Sequence, residues 1–176
     1  MELGLKEKVI IVTGGGSGIG ASVVDNLSLI GATPVIIDKS KPDDTFYKII
    51  KKRCPRAIWK TLALCDDQDS KKAVKDILTK LSKIDGLVNN AGINVPRLLV
   101  DPAGKEELTE DVWDKVFAVN VKGQFLCAQA AARAMLKQEE GGVLINMSSE
   151  SGLEGSEGAD LENSDDENDD DLDDLL

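Results

Sequence analysis

Short apolar runs rich in β-branched residues alternate along this chain with longer segments in which apolar residues recur at helical spacing. The runs predict strands, and they lie at 9–12, 34–38, 57–64, 87–89 and 143–147. Strands that alternate with helical patterns are typical of βαβ units, in which neighbouring strands run parallel. The pattern therefore predicts an α/β fold, a doubly wound parallel sheet of Rossmann-like type with five strands.

The segments between the runs predict the crossover helices. Apolar residues follow Ser17 at helical spacing until Gly31 ends the pattern, and further helices are expected over 43–53, 73–84 and 109–137. Thr109 and Asp111 are candidate N-caps of the last helix, because short polar side chains accept hydrogen bonds from the free N–H groups of a first turn.

Charge divides the chain into two parts. Residues 154–176 contain 12 acidic residues and no Lys or Arg, whereas residues 1–153 contain 20 acidic and 21 basic residues. A segment with high charge and few apolar residues cannot repay the entropy of ordering. We therefore predict a folded domain over 1–155 and a disordered acidic tail over 156–176.

Composition argues against several classes of function. The basic residues only balance the acids of the body, so no electrostatic argument supports nucleic-acid binding. No apolar segment approaches ~18 residues and no signal peptide is recognisable, so we expect no membrane association and a cytoplasmic location. The chain has 3 scattered cysteines and no histidine, so neither a disulfide framework nor a metal site is indicated.

A glycine-rich loop directly follows the first predicted strand and opens a helix. Glycine lets the chain turn tightly and approach a pyrophosphate closely, while the N–H groups of the helix face the anion. The spacing is Gly-x-x-x-Gly-x-Gly rather than the commonest fingerprint, and a purely structural turn is the alternative interpretation. The candidate cofactor-binding residues of this loop are Gly14, Ser17, Gly18, Ile19 and Gly20.

Asp38 ends the second predicted strand, 18 residues after Gly20. An acid about 20 residues beyond the glycine loop hydrogen-bonds the adenosine ribose in dinucleotide-binding folds. A carboxylate here accepts from the ribose hydroxyls and repels a 2′-phosphate, which favours NAD over NADP. Lys39 weakens this preference, and an ordinary surface aspartate is the alternative.

Four ordered motifs resemble those of the short-chain dehydrogenase/reductase family. They are Thr-Gly-x-x-x-Gly-x-Gly at 13–20, Asn-Asn-Ala-Gly at 89–92, the mid-helix asparagine at 120 and Asn-x-Ser-Ser at 146–149. The resemblance implies an oxidoreductase that uses NAD and acts on a small molecule. It also implies a sheet of seven strands, of which five are recognisable here.

The resemblance assigns roles to individual residues. Asp66 is similar to the acid that meets the adenine amino group, and Asn90 and Gly92 to the turn beneath the nicotinamide ribose. Asn120 resembles the residue that holds a proton-relay water, and Ser149 the catalytic serine that donates to the substrate carbonyl oxygen. The alternatives are a turn-forming Asn90, a capped or kinked helix at Asn120 and a strand-end serine at 149.

Two further stretches, 94–101 and 148–158, resemble the sorbitol-6-phosphate 2-dehydrogenases within this family. The resemblance implies a polyol or sugar phosphate as substrate. Arg97 is then a candidate phosphate clamp, because guanidinium matches phosphate geometry in a bidentate manner. A solvated loop arginine is an equally good interpretation.

The chain departs from the family pattern after Ser149. The family reaction uses a tyrosine as general acid/base and a lysine four residues later that lowers the tyrosine pKa. Counting 13 residues on from Ser149 gives Glu162, and the lysine position gives Asp166. The only tyrosine, Tyr47, lies in the second crossover. We therefore expect this chain to be inactive on its own.

Three functions remain open at this stage. The first is an oxidoreductase of this family, represented by a truncated or altered chain. The second is a catalytically silent nucleotide-binding fragment, and the third is an interaction protein that uses the acidic tail. The family's neighbour of helix 109–137 is not recognisable, so a homo-oligomer formed through that helix is a further expectation.

Overall fold

The computed structural model describes residues 3–41, 43–63 and 66–150. It contains one sheet of five parallel strands in the order β3-β2-β1-β4-β5. The strands are β1 (Val9–Thr13), β2 (Thr33–Asp38), β3 (Ile58–Thr61), β4 (Gly86–Asn89) and β5 (Val143–Asn146). The predicted doubly wound, Rossmann-like sheet is thereby confirmed.

The helices are α1 (Gly18–Leu29), α2 (Asp44–Arg53), α3 (Asp67–Leu81), α4 (Glu110–Phe117) and α5 (Gln124–Met135). They pack on both faces of the sheet, and the central strands β1, β2 and β4 are therefore buried on both sides. One apolar cluster includes Ile77 of α3 and Ala131 of α5. The other includes Val24 of α1 and Ile50 of α2.

The pairing of the strands places their carboxyl ends at one edge of the sheet. Thr13 at the end of β1 is in register with Ile37 of β2, and Val12 is in register with Val88 of β4. The loops that follow β1, β2 and β4 therefore leave the sheet side by side. In an open parallel sheet, ligands bind where the strand order reverses, which here lies between β1 and β4.

Three predicted elements differ from the structure. The helix expected over 73–84 begins earlier, at Asp67, and ends at Leu81. The third strand is shorter than predicted, ending at Thr61. The long helix predicted over 109–137 ends at Met135 and is interrupted by a π-helical segment at Ala118–Gly123. Thr109 is its N-cap and accepts a hydrogen bond from the Val112 N–H, whereas Asp111 lies in the first turn. Apolar periodicity indicates helix but does not distinguish an α-helical turn from a wider one.

β5 lies at the edge of the sheet and is exposed along its whole length. The exposed fractions of Val143, Leu144 and Ile145 are 62%, 40% and 48%. Its backbone hydrogen bonds to the sheet go to β4, with Asn146 in register with Asn89. Among the described residues no strand pairs with its outer edge, and apolar side chains on an unpaired edge favour association.

The chain forms two compact units. The first comprises Met1–Asn94 and Thr109–Ser148 and contains the sheet. In the second, the structure describes residues 95–108 together with 149 and 150. The predicted boundary near residue 155 and the acidic tail over 156–176 lie outside the described residues. Within the part that is described, no helix is both long and apolar enough to cross a membrane.

Candidate functional site

A cleft of about 360 Å³ opens in the first unit at the carboxyl ends of β1, β2 and β4. Its walls come from the loops after these strands and from the π-helical region. Among the predicted site residues, it is lined by Gly14, Ser17, Asp38, Asn90 and Gly92. The sheet thus brings together residues that lie up to about 80 positions apart in the sequence.

The glycine-rich loop forms one wall, and steric contacts explain two of its glycines. Gly14 has φ +63°, and a Cβ atom on it would lie 2.9 Å from the Cα of Ala91. A Cβ on Gly20 would lie 2.1 Å from the Gly14 carbonyl oxygen. The first turn of α1 therefore packs directly against the loop and the end of β4, as close helix–strand packing requires.

The N-terminus of α1 is open. Ser17 occupies the N-cap position but makes no side-chain capping hydrogen bond. The helices α2, α3 and α4 differ, since Asp43, Asp66 and Thr109 cap them. Ser17, Gly18 and Ile19 are exposed at this end. The free N–H groups of a first turn carry partial positive charge and suit an anionic group such as a pyrophosphate.

Asp38 is held in place by backbone donors from two loops. Its Oδ2 accepts a hydrogen bond from the Gly16 N–H at 2.9 Å, and its Oδ1 accepts one from the Ser40 N–H at 2.9 Å. A carboxylate oxygen can accept more than one hydrogen bond, so both oxygens retain acceptor capacity toward the cleft. Gly16 was not among the predicted site residues, although it lies within the quoted motif.

Thr13 joins the glycine loop to the turn after β4. Its Oγ1 accepts hydrogen bonds from the N–H groups of Asn90 and Ala91, each at 3.0 Å. In return, the Asn90 Nδ2 donates to the carbonyl oxygens of Thr13 and Gly14 at 3.1 and 3.3 Å. Asn90, a predicted site residue, thus links the turn after β4 to the end of β1 by hydrogen bonds and shapes the floor of the cleft.

Asn120 lies in the π-helical segment, and its side chain hydrogen-bonds the backbone of the turn after β4. Its Oδ1 accepts from the Ile93 N–H, and its Nδ2 donates to the Ile93 carbonyl oxygen, both at 2.8 Å. A Cβ on Gly92 would lie 3.4 Å from the Asn120 Oδ1, so the turn passes close to this amide. A π-helical segment inside a longer helix often marks a functional position.

Asn89 is a site residue that the sequence analysis did not single out. It is 0% exposed, lines the cleft and donates to the Gln124 carbonyl oxygen and to the Asn146 Oδ1. Its own Oδ1 is buried without a hydrogen-bond partner in the described structure. A buried acceptor without a partner is costly, so this atom favours a donor such as water or a ligand hydroxyl in the cleft. The available signal was a polar residue at the end of an apolar strand.

Asp66 has a structural task that was not predicted. Its Oδ1 accepts from the N–H groups of Gln68 and Asp69 and so caps α3. It is not among the residues that line the cleft in the described part of the chain. Its contact with adenine therefore stays a prediction. The pattern of an aspartate immediately before a helix could have indicated the cap.

Arg97 and Ser149 belong to the second unit. The Arg97 Nη1 donates to the Pro96 carbonyl oxygen at 2.8 Å. The side chains of Arg97 and Ser149 are exposed. In the same unit, the Asp101 carboxylate accepts from the N–H groups of Glu106, Ala103 and Lys105. These hydrogen bonds hold the pKa of Asp101 below its ordinary value. The roles of Arg97 and Ser149 toward a substrate stay predictions.

The described residues contain no group of three or more His, Cys, Asp or Glu side chains placed to hold a metal ion. The hydrogen-bonding groups that they do offer, backbone N–H donors and a carboxylate acceptor, suit a dinucleotide. The open N-terminus of α1 suits a pyrophosphate, and the Asp38 carboxylate suits a ribose.

Comparison with known proteins identifies the family. The profile of the short chain dehydrogenases matches residues 8–160. The chain belongs to the short-chain dehydrogenase family. It is 46% identical over 164 residues to a sorbitol-6-phosphate 2-dehydrogenase of Klebsiella pneumoniae, a match that covers 89% of this chain and 57% of that protein. The resemblance seen in the sequence is thereby confirmed.

Two other relatives give the same picture. An NAD-dependent glycerol dehydrogenase of Listeria innocua is 34% identical over 155 residues, which cover 85% of this chain and 56% of that enzyme. The crystal structure of the Cj0485 dehydrogenase superimposes with a TM-score of 0.79 at 27% identity, covering 90% of this chain and 57% of that one. This short-chain dehydrogenase chain thus spans a little more than half the length of these relatives.

Proposed function

We propose that the cleft binds NAD, with the pyrophosphate at the N-terminus of α1 and the adenosine ribose at Asp38. The single observation that carries the proposal is the placement of Asp38. Its carboxylate ends β2, accepts a hydrogen bond from the glycine loop itself and lines the same cleft as that loop. A ribose hydroxyl can donate to this carboxylate, whereas a 2′-phosphate would meet its negative charge.

The proposed reaction is the interconversion of a secondary alcohol and a ketone on a polyol or sugar phosphate. Bound NAD would supply the acceptor for the hydride. Ser149 would donate its hydroxyl to the substrate oxygen and stabilise the charge that develops there. Arg97 would bind the phosphate. The support for this substrate class is the 46% identity to a sorbitol-6-phosphate 2-dehydrogenase.

Asn120 would contribute through its surroundings. Both ends of its side-chain amide are engaged with Ile93. Each end of this amide keeps capacity for one more hydrogen bond. A proton-relay water would therefore be held by Asn120 together with backbone groups of the π-helical segment, in which the regular i to i−4 hydrogen bonding is altered.

We further propose that this chain alone binds the cofactor without turnover. Glu162 and Asp166 occupy the positions at which the family has its tyrosine and lysine. A carboxyl group of ordinary acidity is ionised at neutral pH and cannot give a proton to the substrate oxygen. Incubation with NAD and sorbitol 6-phosphate should give no NADH above a Ser149→Ala control. A rate above that control would refute the proposed inactivity.

Cofactor binding is tested by calorimetry with NAD and NADP. Replacing Asp38 with alanine removes charge-assisted hydrogen bonds, so NAD binding should weaken about tenfold and the gap to NADP should narrow. Asp44→Ala is the matched control, because Asp44 is an exposed aspartate in the first turn of α2. Equal or tighter binding of NADP by the unmodified chain would refute the proposed preference.

Self-association is a second part of the proposal. The α4–α5 region exposes Trp113, Phe117, Val121 and Phe125 at four-residue intervals, and the rings of Trp113 and Phe117 stack at 4.5 Å. Exposed apolar rows of this kind favour burial against a second copy. Light scattering should show a dimer or larger assembly that Phe125→Glu reduces. A monomer at all concentrations would refute it.

A further inference from the structure

Trp59 lies beside the proposed ribose site but does not belong to any predicted motif. It is in β3, in register with Ile36 of β2, two residues before Asp38. The indole is half-buried against the apolar cluster beneath α1 and α2. Tyr47 of α2 meets it edge to face, with ring centroids 5.6 Å apart at an interplanar angle of 75°. The orientation of the indole is therefore fixed by packing.

The indole contacts both loops that hold Asp38. Its Nε1 donates a hydrogen bond to the Ser40 carbonyl oxygen at 3.3 Å. The Ser40 N–H in turn donates to the Asp38 Oδ1. On the other side, the Cη2 atom of Trp59 lies 3.0 Å from the point that a Cβ on Gly16 would occupy. Gly16 is the second residue that donates to Asp38.

From this geometry we propose that Trp59 is a positioning residue that sets the choice between NAD and NADP, an inference that rests on the proposed function. The indole N–H anchors the segment after β2, and this segment presents the Ser40 N–H to Asp38. With the anchor in place, the carboxylate stays directed at the ribose. The same segment carries Lys39 and Lys41. Without the anchor, Asp38 can turn away and these cations can meet a 2′-phosphate.

The size of the effect follows from one neutral hydrogen bond. Such a bond contributes about 0.5–1.5 kcal/mol, which corresponds to about twofold to tenfold in an equilibrium constant. Trp59→Phe retains an aromatic ring against Tyr47 and removes the N–H. The ratio of the NADP to the NAD dissociation constant should therefore fall by about twofold to tenfold. If Trp59 had only a structural role, its substitution would weaken the binding of NAD and NADP equally and leave the ratio of the dissociation constants unchanged.

The test is calorimetric titration of the full chain with NAD and with NADP. Trp113→Phe is the matched control, because it removes the other tryptophan, which lies on α4 and does not line the cleft. A reduced ratio in Trp59→Phe with an unchanged ratio in Trp113→Phe supports the proposal. An unchanged ratio in Trp59→Phe overturns it and leaves the proposed function intact. Failure of the unmodified chain to bind either dinucleotide overturns both.

A second measurement does not depend on the folding of Trp59→Phe. In the Trp113→Phe variant, Trp59 is the only tryptophan, since the chain has 2. NAD should change its fluorescence emission, because the indole touches the glycine loop and the Ser40 segment. NADP should change it less at the same concentration. Identical responses to the two dinucleotides, or no response at a saturating concentration of NAD, would overturn the proposal.

Discussion

Replacement of Thr13 with valine tests the link between the glycine loop and the turn after β4. Valine has nearly the same shape as threonine and suits the end of a buried strand. It lacks the oxygen that accepts from the N–H groups of Asn90 and Ala91. Since Thr13 is only 1% exposed, valine fits the space but leaves these two donors without their acceptor.

The cost can be worked out from those two groups. A buried donor left unsatisfied costs about 1–3 kcal/mol. Asn90 and Ala91 are half-buried, so water can reach them in part and each should contribute near the lower end of that range. The free energy of unfolding should therefore fall by about 2 kcal/mol. With a urea dependence of about 2 kcal/mol/M, the midpoint should move down by about 1 M.

The assay is urea unfolding followed by circular dichroism. Thr33→Val is the matched control, because Thr33 is a buried strand residue whose hydroxyl has only a weak contact, 3.8 Å from the Cys54 Sγ. The urea midpoint of Thr33→Val should shift by less than a quarter of the shift expected for Thr13→Val. If Thr13→Val and Thr33→Val unfold at the same urea concentration, Thr13 does not fasten the two loops and the reasoning fails.

Three further outcomes are expected. Gly20→Ala should destabilise the chain by at least about 2 kcal/mol in thermal unfolding, because the added Cβ would overlap the Gly14 carbonyl oxygen. Helix propensity alone favours alanine, so the control Ser22→Ala should show a small gain in stability. Burial raises the pKa of Asp85, but hydrogen bonds from the Val9 N–H, Lys83 and Lys8 outweigh it and the pKa is lowered. The stability that this carboxylate contributes is therefore present above the ordinary carboxyl pKa and is lost as pH falls through the lower pKa of the folded state. In Asp85→Asn, the free energy of unfolding should fall less steeply as the pH is lowered, which unfolding curves measured at several pH values would show. Asp101→Asn should speed amide exchange at residues 103, 105 and 106 while β1 keeps its protection, and unchanged exchange there would contradict the hydrogen-bonding role of Asp101.

Much of the fold could be predicted because its signals are local. The β-branched runs gave five strands, and the helical spacing between them gave the crossovers and the parallel sheet. The glycine loop was recognisable from its spacing, and close approach of backbone at Gly14 and Gly20 is a demand that only glycine meets. The role of these glycines in cofactor binding stays a prediction. Asp38 was identified from its distance to the loop, and it does line the cleft beside the glycine loop.

Other features could not be read from the sequence because they depend on residues far apart in the chain. The sequence determined which segments become strands and helices, since periodicity and turn residues act within a few positions. Only the tertiary structure decided that Thr13 meets Asn90, that Asn120 grips Ile93 through a π-helical segment, and that Trp59 anchors the loop behind Asp38. The physical reason is that these contacts join side chains to backbone groups across neighbouring strands, and only strand pairing and helix packing bring those groups together.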